Sequence, residues 1–384
     1  MNSLQPYNQN QTHFGFHLLN GLLHEAHEKK HWKNILLSPI SLNLALGLVM
    51  KGANDETCTE IAQLLGYSDA ELELYYSQTQ AAITHIFSAG EGHQLLNAMS
   101  LWLNQTYPLK TDFVQWGKDT FDAQVNSCDF SNPKVVNNIN DWVKQATHQH
   151  IDHVIDRLTP SVIAVLVNAI YFKGSWQNAF APSLTKPGLF NLMDGENTEV
   201  QMMNQKGKFN YSRQEQYELL QLPYKGELTS LVIILPSQEI SLDPQRLLDF
   251  SQSLTSNDWL EHLTKIKKVQ GAVAIPRVKL QYSIELSRTL QALGLKTAFS
   301  ETQADFSLMC NIPPRVYISE VLHKTSLDIN EEGTEASAAT KITMVSKAMV
   351  KSMRFVVDRP FYSGILHKNG NLLFHGWIFN PNDE

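Results

Sequence analysis

The sequence predicts an α+β fold, and three observations carry that prediction. Helix-like and strand-like segments are mixed along the chain without the regular strand–helix–strand rhythm of a doubly wound sheet. Hydrophobic residues make up 43% and charged residues 18% of the 384 residues, enough for a large core. Near the C-terminus stands I-N-E-E-G-T-E-A-S-A-A-T, followed by a polar K-I-T-M-V-S-K-A and an apolar F-V-V-D-R-P-F. Alternate residues of a strand face opposite ways. One face then holds Thr334, Ala336, Ala338, Thr340, Ile342, Met344 and Ser346; the other holds Glu335, Ser337, Ala339, Lys341, Thr343, Val345 and Lys347. All the charges fall on the second face, as in a strand that slots between two others. An Ala-rich helix or linker is the competing reading, because Ala and Glu favour helix.

Element by element, residues 13–31 read as an amphipathic helix with Phe14, Phe16, Leu18, Leu19, Leu22 and Leu23 clustered. Residues 39–51 form a buried helix with Pro39 in its first turn. Further helices are expected at 55–66, 70–88, 111–121, 131–148, 159–165, 245–253, 256–264 and 284–294, and strands at 94–102, 163–172, 218–224, 229–235, 270–282, 315–330 and 354–379. No internal repeat or low-complexity tract is visible.

A net charge of −7 gives no general attraction to nucleic acid or anionic membrane. No apolar run approaches the roughly 20 residues of a membrane span. Cys58, Cys128 and Cys310 are widely spaced and odd in number, which argues against a disulfide framework. The first residues are polar and lack the basic start and apolar stretch of a secretory signal. The chain is expected to stay inside its cell, to leave by another route, or to be extracellular after trimming.

His24, His27 and His31 share a helix face, and His148, His150 and His153 form a second group. Neither matches the H-E-x-x-H metalloprotease spacing. Solvated surface histidines are the expectation, with no metal and no cofactor. No nucleophile elbow, P-loop or C-x-x-C is present, so no enzyme activity is expected.

The stretch E-E-G-T-E-A-S-A-A-T at 331–340 resembles the hinge of inhibitory serpins. Five further segments resemble the same family in the same order: N-I-L-L-S-P-I-S (34–41), L-V-N-A-I-Y-F-K-G-S-W (166–176), L-P-Y-K-G-E-L-T-S-L-V-I-I-L-P (222–236), H-K-T-S-L-D-I-N (323–330) and L-L-F-H-G-W-I-F-N-P (372–381). There are departures. Asp55 stands where the family usually has Gly, and Tyr362, Ser363 and Gly364 follow R-P-F where apolar residues are usual. Gly within a strand weakens packing or marks a bulge, so irregular geometry is expected near 363–364.

The resemblance implies a single serpin domain over 1–384, with about nine helices around three β-sheets and an exposed reactive-centre loop at about 331–353. It implies a suicide-substrate inhibitor of serine endopeptidases that forms a covalent 1:1 complex, as a monomer. The hinge would comprise Glu331, Glu332, Gly333, Thr334, Glu335, Ala336, Ser337, Ala338, Ala339 and Thr340. Family loops commonly cleave after the seventeenth residue counted from the first Glu, which places the reactive bond at Lys347–Ala348. A Lys there suits trypsin-like proteases; Met344, Met349 and Lys351 remain alternatives. Ser38, Ser41, Asn168 and His323 match a polar latch beneath the main sheet, and Trp176 matches the aromatic residue where insertion begins. No Lys or Arg occurs between Lys51 and Lys110, where family members activated by polyanions carry a basic helix, so activation at that helix is not expected. A non-inhibitory carrier, chaperone or storage serpin and a cross-class inhibitor of cysteine proteases are the alternative functions.

Overall fold

A computed structural model of the chain describes residues 5–87, 92–311, 315–332 and 352–383. Among the described residues there are ten α-helices: α1 (Gln5–Glu28), α2 (Pro39–Gly52), α3 (Asp55–Leu64), α4 (Leu72–Ile86), α5 (Thr111–Phe121), α6 (Lys134–Ala146), α7 (Gln238–Ser241), α8 (Pro244–Ser253), α9 (Ser256–Thr264) and α10 (Ser287–Ala292). The strands are β1 (Ile35–Leu37), β2 (His93–Asn104), β3 (Gln124–Cys128), β4 (Ala164–Gly174), β5 (Lys186–Asn191), β6 (Asn197–Arg213), β7 (Tyr217–Pro223), β8 (Thr229–Pro236), β9 (Lys267–Pro276), β10 (Val278–Glu285), β11 (Glu320–Ile329), β12 (Met353–Val356), β13 (Phe361–His367) and β14 (Leu372–Ile378).

Two hydrogen-bonded ladders result. A five-stranded sheet runs β10-β11-β4-β2-β3, and a nine-stranded one runs β1-β14-β13-β8-β7-β6-β9-β12, with β5 on β6. Three sheets were expected; the 17-residue β6 pairs in turn with β5, β9 and β7 and so joins two of them into one ladder.

The apolar run of β4 is explained by burial on both faces. Leu166, Ile170 and Phe172 belong to the main core, which includes the buried α2. Val165, Val167, Ala169 and Tyr171 face a second core with Val135, Ile139 and Val143 of α6. Asn168 interrupts the main-core face, fully buried.

Several expectations are corrected. No helix forms over 159–165: Val162 closes a turn on Thr159 and Ala164 already opens β4, because β-branched Val and Ile pack better on a pleated surface. The expected strand 270–282 is two strands broken at Arg277, which join different sheets. The expected strand 354–379 is three strands. The pair β5 and β6, with β3 and α7, escaped prediction; β6 is polar on its solvent side and lacks a long apolar run. Gly364 lies in regular pairing with His375 and Val232, and the register shift of β13 falls later, between Ile365 and Leu366. Asp55 takes φ 43°, so it holds the left-handed conformation for which Gly is the usual choice.

The β1–β14 pairing positions the start of α2 and therefore Ser38. It requires Gly376, because a Cβ there would stand 1.7 Å from the Ile35 carbonyl oxygen. That neighbour is backbone and cannot swing away. Gly376→Ala is expected to lower stability by about 3 kcal/mol or more, the upper range for an overpacked core site, seen as loss of soluble protein or a lowered thermal midpoint; parental yield and midpoint would show that β1 can shift freely.

Candidate functional site

The site is built on the seam between β4 and β11. These strands pair directly and in parallel from Glu320 opposite Val165 to Leu327 opposite Phe172, and His323 stands opposite Asn168. The N-terminus of α2 lies beneath this pair. Ser38 is its N-cap and accepts from the Ser41 N–H at 3.4 Å, and Pro39 occupies the first turn.

Ser38, Ser41, Asn168 and His323 are all fully buried and hydrogen-bonded together. The Ser38 N–H donates to His323 Nε2 at 3.1 Å, so His323 Nε2 is unprotonated. Nδ1 therefore carries the proton and donates to Asn168 Oδ1 at 2.8 Å. Asn168 Nδ2 donates to Ser41 Oγ at 2.6 Å, and the Ser41 hydroxyl donates to Asn97 Oδ1 at 2.5 Å. Burial holds His323 down to about 3, well below the ordinary imidazole value, although its bond with Asn168 acts in the opposite direction. Two residues further along β11, the Thr325 hydroxyl donates to the Leu36 carbonyl at 2.9 Å. Asn97 and Thr325 were not singled out in the sequence. Asn97 stands between apolar residues of β2, and Thr325 shares the face of His323 at the strand period.

The top of the seam is a second polar cluster. Trp176 stacks on Tyr224 with ring centroids 4.5 Å apart and donates from Nε1 to the Asn330 carbonyl at 2.7 Å. Beyond it, Glu331 is 4% exposed. Its carboxylate accepts from Arg277 Nε at 2.8 Å and Nη2 at 2.6 Å, and from the Thr185 hydroxyl, while its carbonyl accepts from the Phe180 N–H at 3.0 Å. Burial pushes the Glu331 carboxyl upward, but the bonds from Arg277 and Thr185 outweigh it and hold the group below its ordinary value. Arg277 and Thr185 escaped sequence reading; the signal was an isolated Arg between two apolar strand segments.

Glu332 is exposed, and its N–H caps Asn330 Oδ1 at 3.0 Å. The remaining hinge residues (Gly333, Thr334, Glu335, Ala336, Ser337, Ala338, Ala339 and Thr340), the bond Lys347–Ala348, and Met344, Met349 and Lys351 lie outside the described residues. What flanks them is described: β11 ends at Ile329 in the five-stranded sheet, and β12 starts at Met353 beside β9 in the nine-stranded one.

The histidine groups stay apart from the seam network. His24 pairs with Glu28 at 3.4 Å on an exposed face, His27 packs edge-on to Trp32, and His31 is exposed. His150 stacks on Tyr171 at 3.8 Å, and His153 pairs with Asp156 at 2.6 Å. Among the described residues no three ligand-type side chains converge on a metal-sized site.

Comparison with known proteins gives a consistent result. A family model described as serpin (serine protease inhibitor) matches residues 9–381. The chain is 34% identical to the leukocyte elastase inhibitor of Bos taurus over 360 residues, covering 91% of this chain and 93% of that protein. It is 34% identical to serpin B8 of Homo sapiens over 363 residues, covering 92% and 95%. The solved structure of tengpin, a thermophilic serpin in its native state, superposes with a TM-score of 0.86 at 27% identity, covering 98% of this chain and 94% of that one.

The neutral His323 has a pH consequence. Its folded value lies near 3 and its unfolded value near 6.5, so the unfolded chain binds one more proton between those limits. Stability from this group is full above pH 6.5 and declines as pH falls toward 3, by about 1.4 kcal/mol per pH unit. Buried His375 adds a second such group in the same window. The thermal midpoint at fixed scan rate is expected to fall through this range, and His323→Gln to shallow the fall; an identical profile in the variant would mean that His323 is not held neutral.

Proposed function

The chain belongs to the serpin family, and the proteins it resembles are inhibitors or binding proteins rather than catalysts; from that premise we propose that it inhibits trypsin-like serine endopeptidases as a suicide substrate, acting as one unit across 1–384. The protease attacks the Lys347–Ala348 bond and forms an acyl-enzyme. Cleavage releases the segment 331–347 from its tether at β12. The freed segment enters the seam between β4 and β11 as a new strand, carrying the acylated enzyme with it into a distorted 1:1 complex. Adding a strand to a sheet satisfies backbone groups along its length, and loop insertion in serpins is a standard case.

The observation that carries this reading is the closed seam. β4 and β11 are immediate neighbours, and the loop segment leaves β11 itself at the top of that seam. A dozen new ladder bonds at about 1 kcal/mol each would contribute on the order of 10 kcal/mol, comparable with the whole stability of an ordinary domain. The uncleaved fold is then a kinetic trap. Ser38, Ser41, Asn168 and His323 act as the latch, and Trp176 with the Glu331–Arg277 pair marks where insertion starts.

The hinge composition supports inhibition over a carrier, chaperone or storage role. Gly333 permits the change of backbone direction at the pivot, and Thr334, Ala336 and Ala338 offer no charge to bury.

Mixing the protein with trypsin is expected to give a covalent band on a denaturing gel and a released peptide beginning at Ala348. The cleaved protein is expected to unfold at a higher temperature than the intact one. Complete cleavage without a complex, or no rise in midpoint, would remove the trapping mechanism. Thr334→Arg buries a charge during insertion and should convert the inhibitor into a substrate; an unchanged inhibition stoichiometry would exclude the hinge role.

A further inference from the structure

The sheet that receives the far end of the loop carries an unbalanced charge. In β6, β9 and β12 the positions of one parity point outward: Asn204, Lys206, Lys208 and Asn210 on β6, opposite Ala274, Ala272, Gln270 and Lys268 on β9, with Arg354 and Val356 of β12 beside Ala272 and Ala274. The intervening Phe209, Val273 and Phe355 are buried in the core. Lys206, Lys208, Lys268 and Arg354 are exposed. Among the described residues none of the four makes a salt bridge, and none of the outward positions just named is Asp or Glu.

Directly opposed residues on a strand pair share a face about 5 Å apart, and diagonal ones lie about 7–8 Å apart. The four cations therefore form one patch rather than scattered charges. On a chain of net charge −7, four unpaired cations without a carboxylate between them are a local reversal of sign. Their place is also particular. Arg354 follows Lys347 by seven residues, a reach of at most about 25 Å of extended chain. A protease engaged at Lys347–Ala348 would have its leaving-group side within that reach of this face.

We infer that this face is an exosite for the target protease, docking an acidic surface that flanks the leaving-group side of its cleft. The inference rests on the inhibitory reading above and adds the chemistry of the partner. Four charges at the rim of an encounter complex act mainly on the association rate, and a sign-matched patch raises such rates by about 10-fold or more at low salt. The net negative charge of the chain would otherwise oppose an acidic enzyme.

The test compares two trypsins of the same cleavage specificity, one anionic and one cationic. The rate constant for covalent complex formation is measured for the parent and for the combined variant Lys206→Ser, Lys208→Ser, Lys268→Ser, Arg354→Ser. A control of equal net charge carries Lys29→Ser, Lys33→Ser, Lys118→Ser and Lys134→Ser on exposed positions elsewhere. With the anionic enzyme at low salt the exosite variant is expected to be about 10-fold slower than the parent and clearly slower than the control, with the gap closing near 0.5 M salt, where screening falls to about 4 Å. With the cationic enzyme it should not be slower. Equal slowing in variant and control would show a whole-molecule charge effect and overturn the exosite. Parental rates in the variant with covalent complexes intact would overturn it while leaving the inhibitory function standing. Parental rates together with lost retention on sulfated dextran would reassign the face to a polyanion. Failure of the parent to trap either trypsin would bring down the inhibitory reading, and this inference with it.

Discussion

The parallel contact between β4 and β11 is the constraint from which the rest of the molecule follows. Parallel neighbours need a long connection between them, and here most of the nine-stranded sheet lies in the chain between β4 and β11. The two strands are thus free of any short covalent link across the seam. Ladder bonds, two cores, the buried polar network and contacts from the segment after α6 hold them together. A seam of that kind can part without tearing either strand from its other neighbour, β2 for β4 and β10 for β11.

Both faces of the seam are nevertheless loaded. On one side α2 presents Ser38 and Ser41 to it. On the other, α6 and the segment that follows lie over the odd positions of β4. Lys324 of β11 reaches across to donate to the His153 carbonyl at 2.6 Å, and His150 stacks on Tyr171 of β4. That segment is consequently tied to both seam strands. Any third strand entering between β4 and β11 must separate its two attachment points, so the resistance of the seam is shared between the network below and this strap above.

How much of this could be read from the residues depends on how each feature is encoded. The α+β class and most helices were legible because apolar periodicity records burial directly. The residues proposed as a latch were legible only through family resemblance, since Ser38, Ser41, Asn168 and His323 are far apart in sequence and meet through parallel pairing that periodicity does not reveal. Arg277 was illegible as an anchor because its meaning comes from Glu331, 54 residues later in the chain, which the antiparallel pairing of Val278 with Ile329 brings beside it. β6 escaped because Lys206 and Lys208 on its solvent side dilute the apolar signal of Met203 and Phe209 on the other. The helix expected at 159–165 failed because Val162, Ile163 and Val165 favour a pleated surface and the end of the stretch, Ala164 and Val165, already pairs with neighbouring strands.

The chemistry of the network bears on why the seam is polar at its centre. Had His323 and Asn168 been apolar, the strands would be held by packing, and separating them would cost only area re-exposed and re-buried when a new strand arrived. A hydrogen bond contributes little net stability when made, about 0.5–1.5 kcal/mol, but leaving its buried partners unsatisfied costs about 1–3 kcal/mol for each group. In the chain from Ser38 through His323 and Asn168 to Ser41, breaking one link strands donors and acceptors among fully buried residues. His323 cannot relieve this by taking a second proton, because the Ser38 N–H already points at Nε2. The network therefore adds less to the depth of the closed state than to the height of the barrier out of it, which is the property a trap held by kinetics needs.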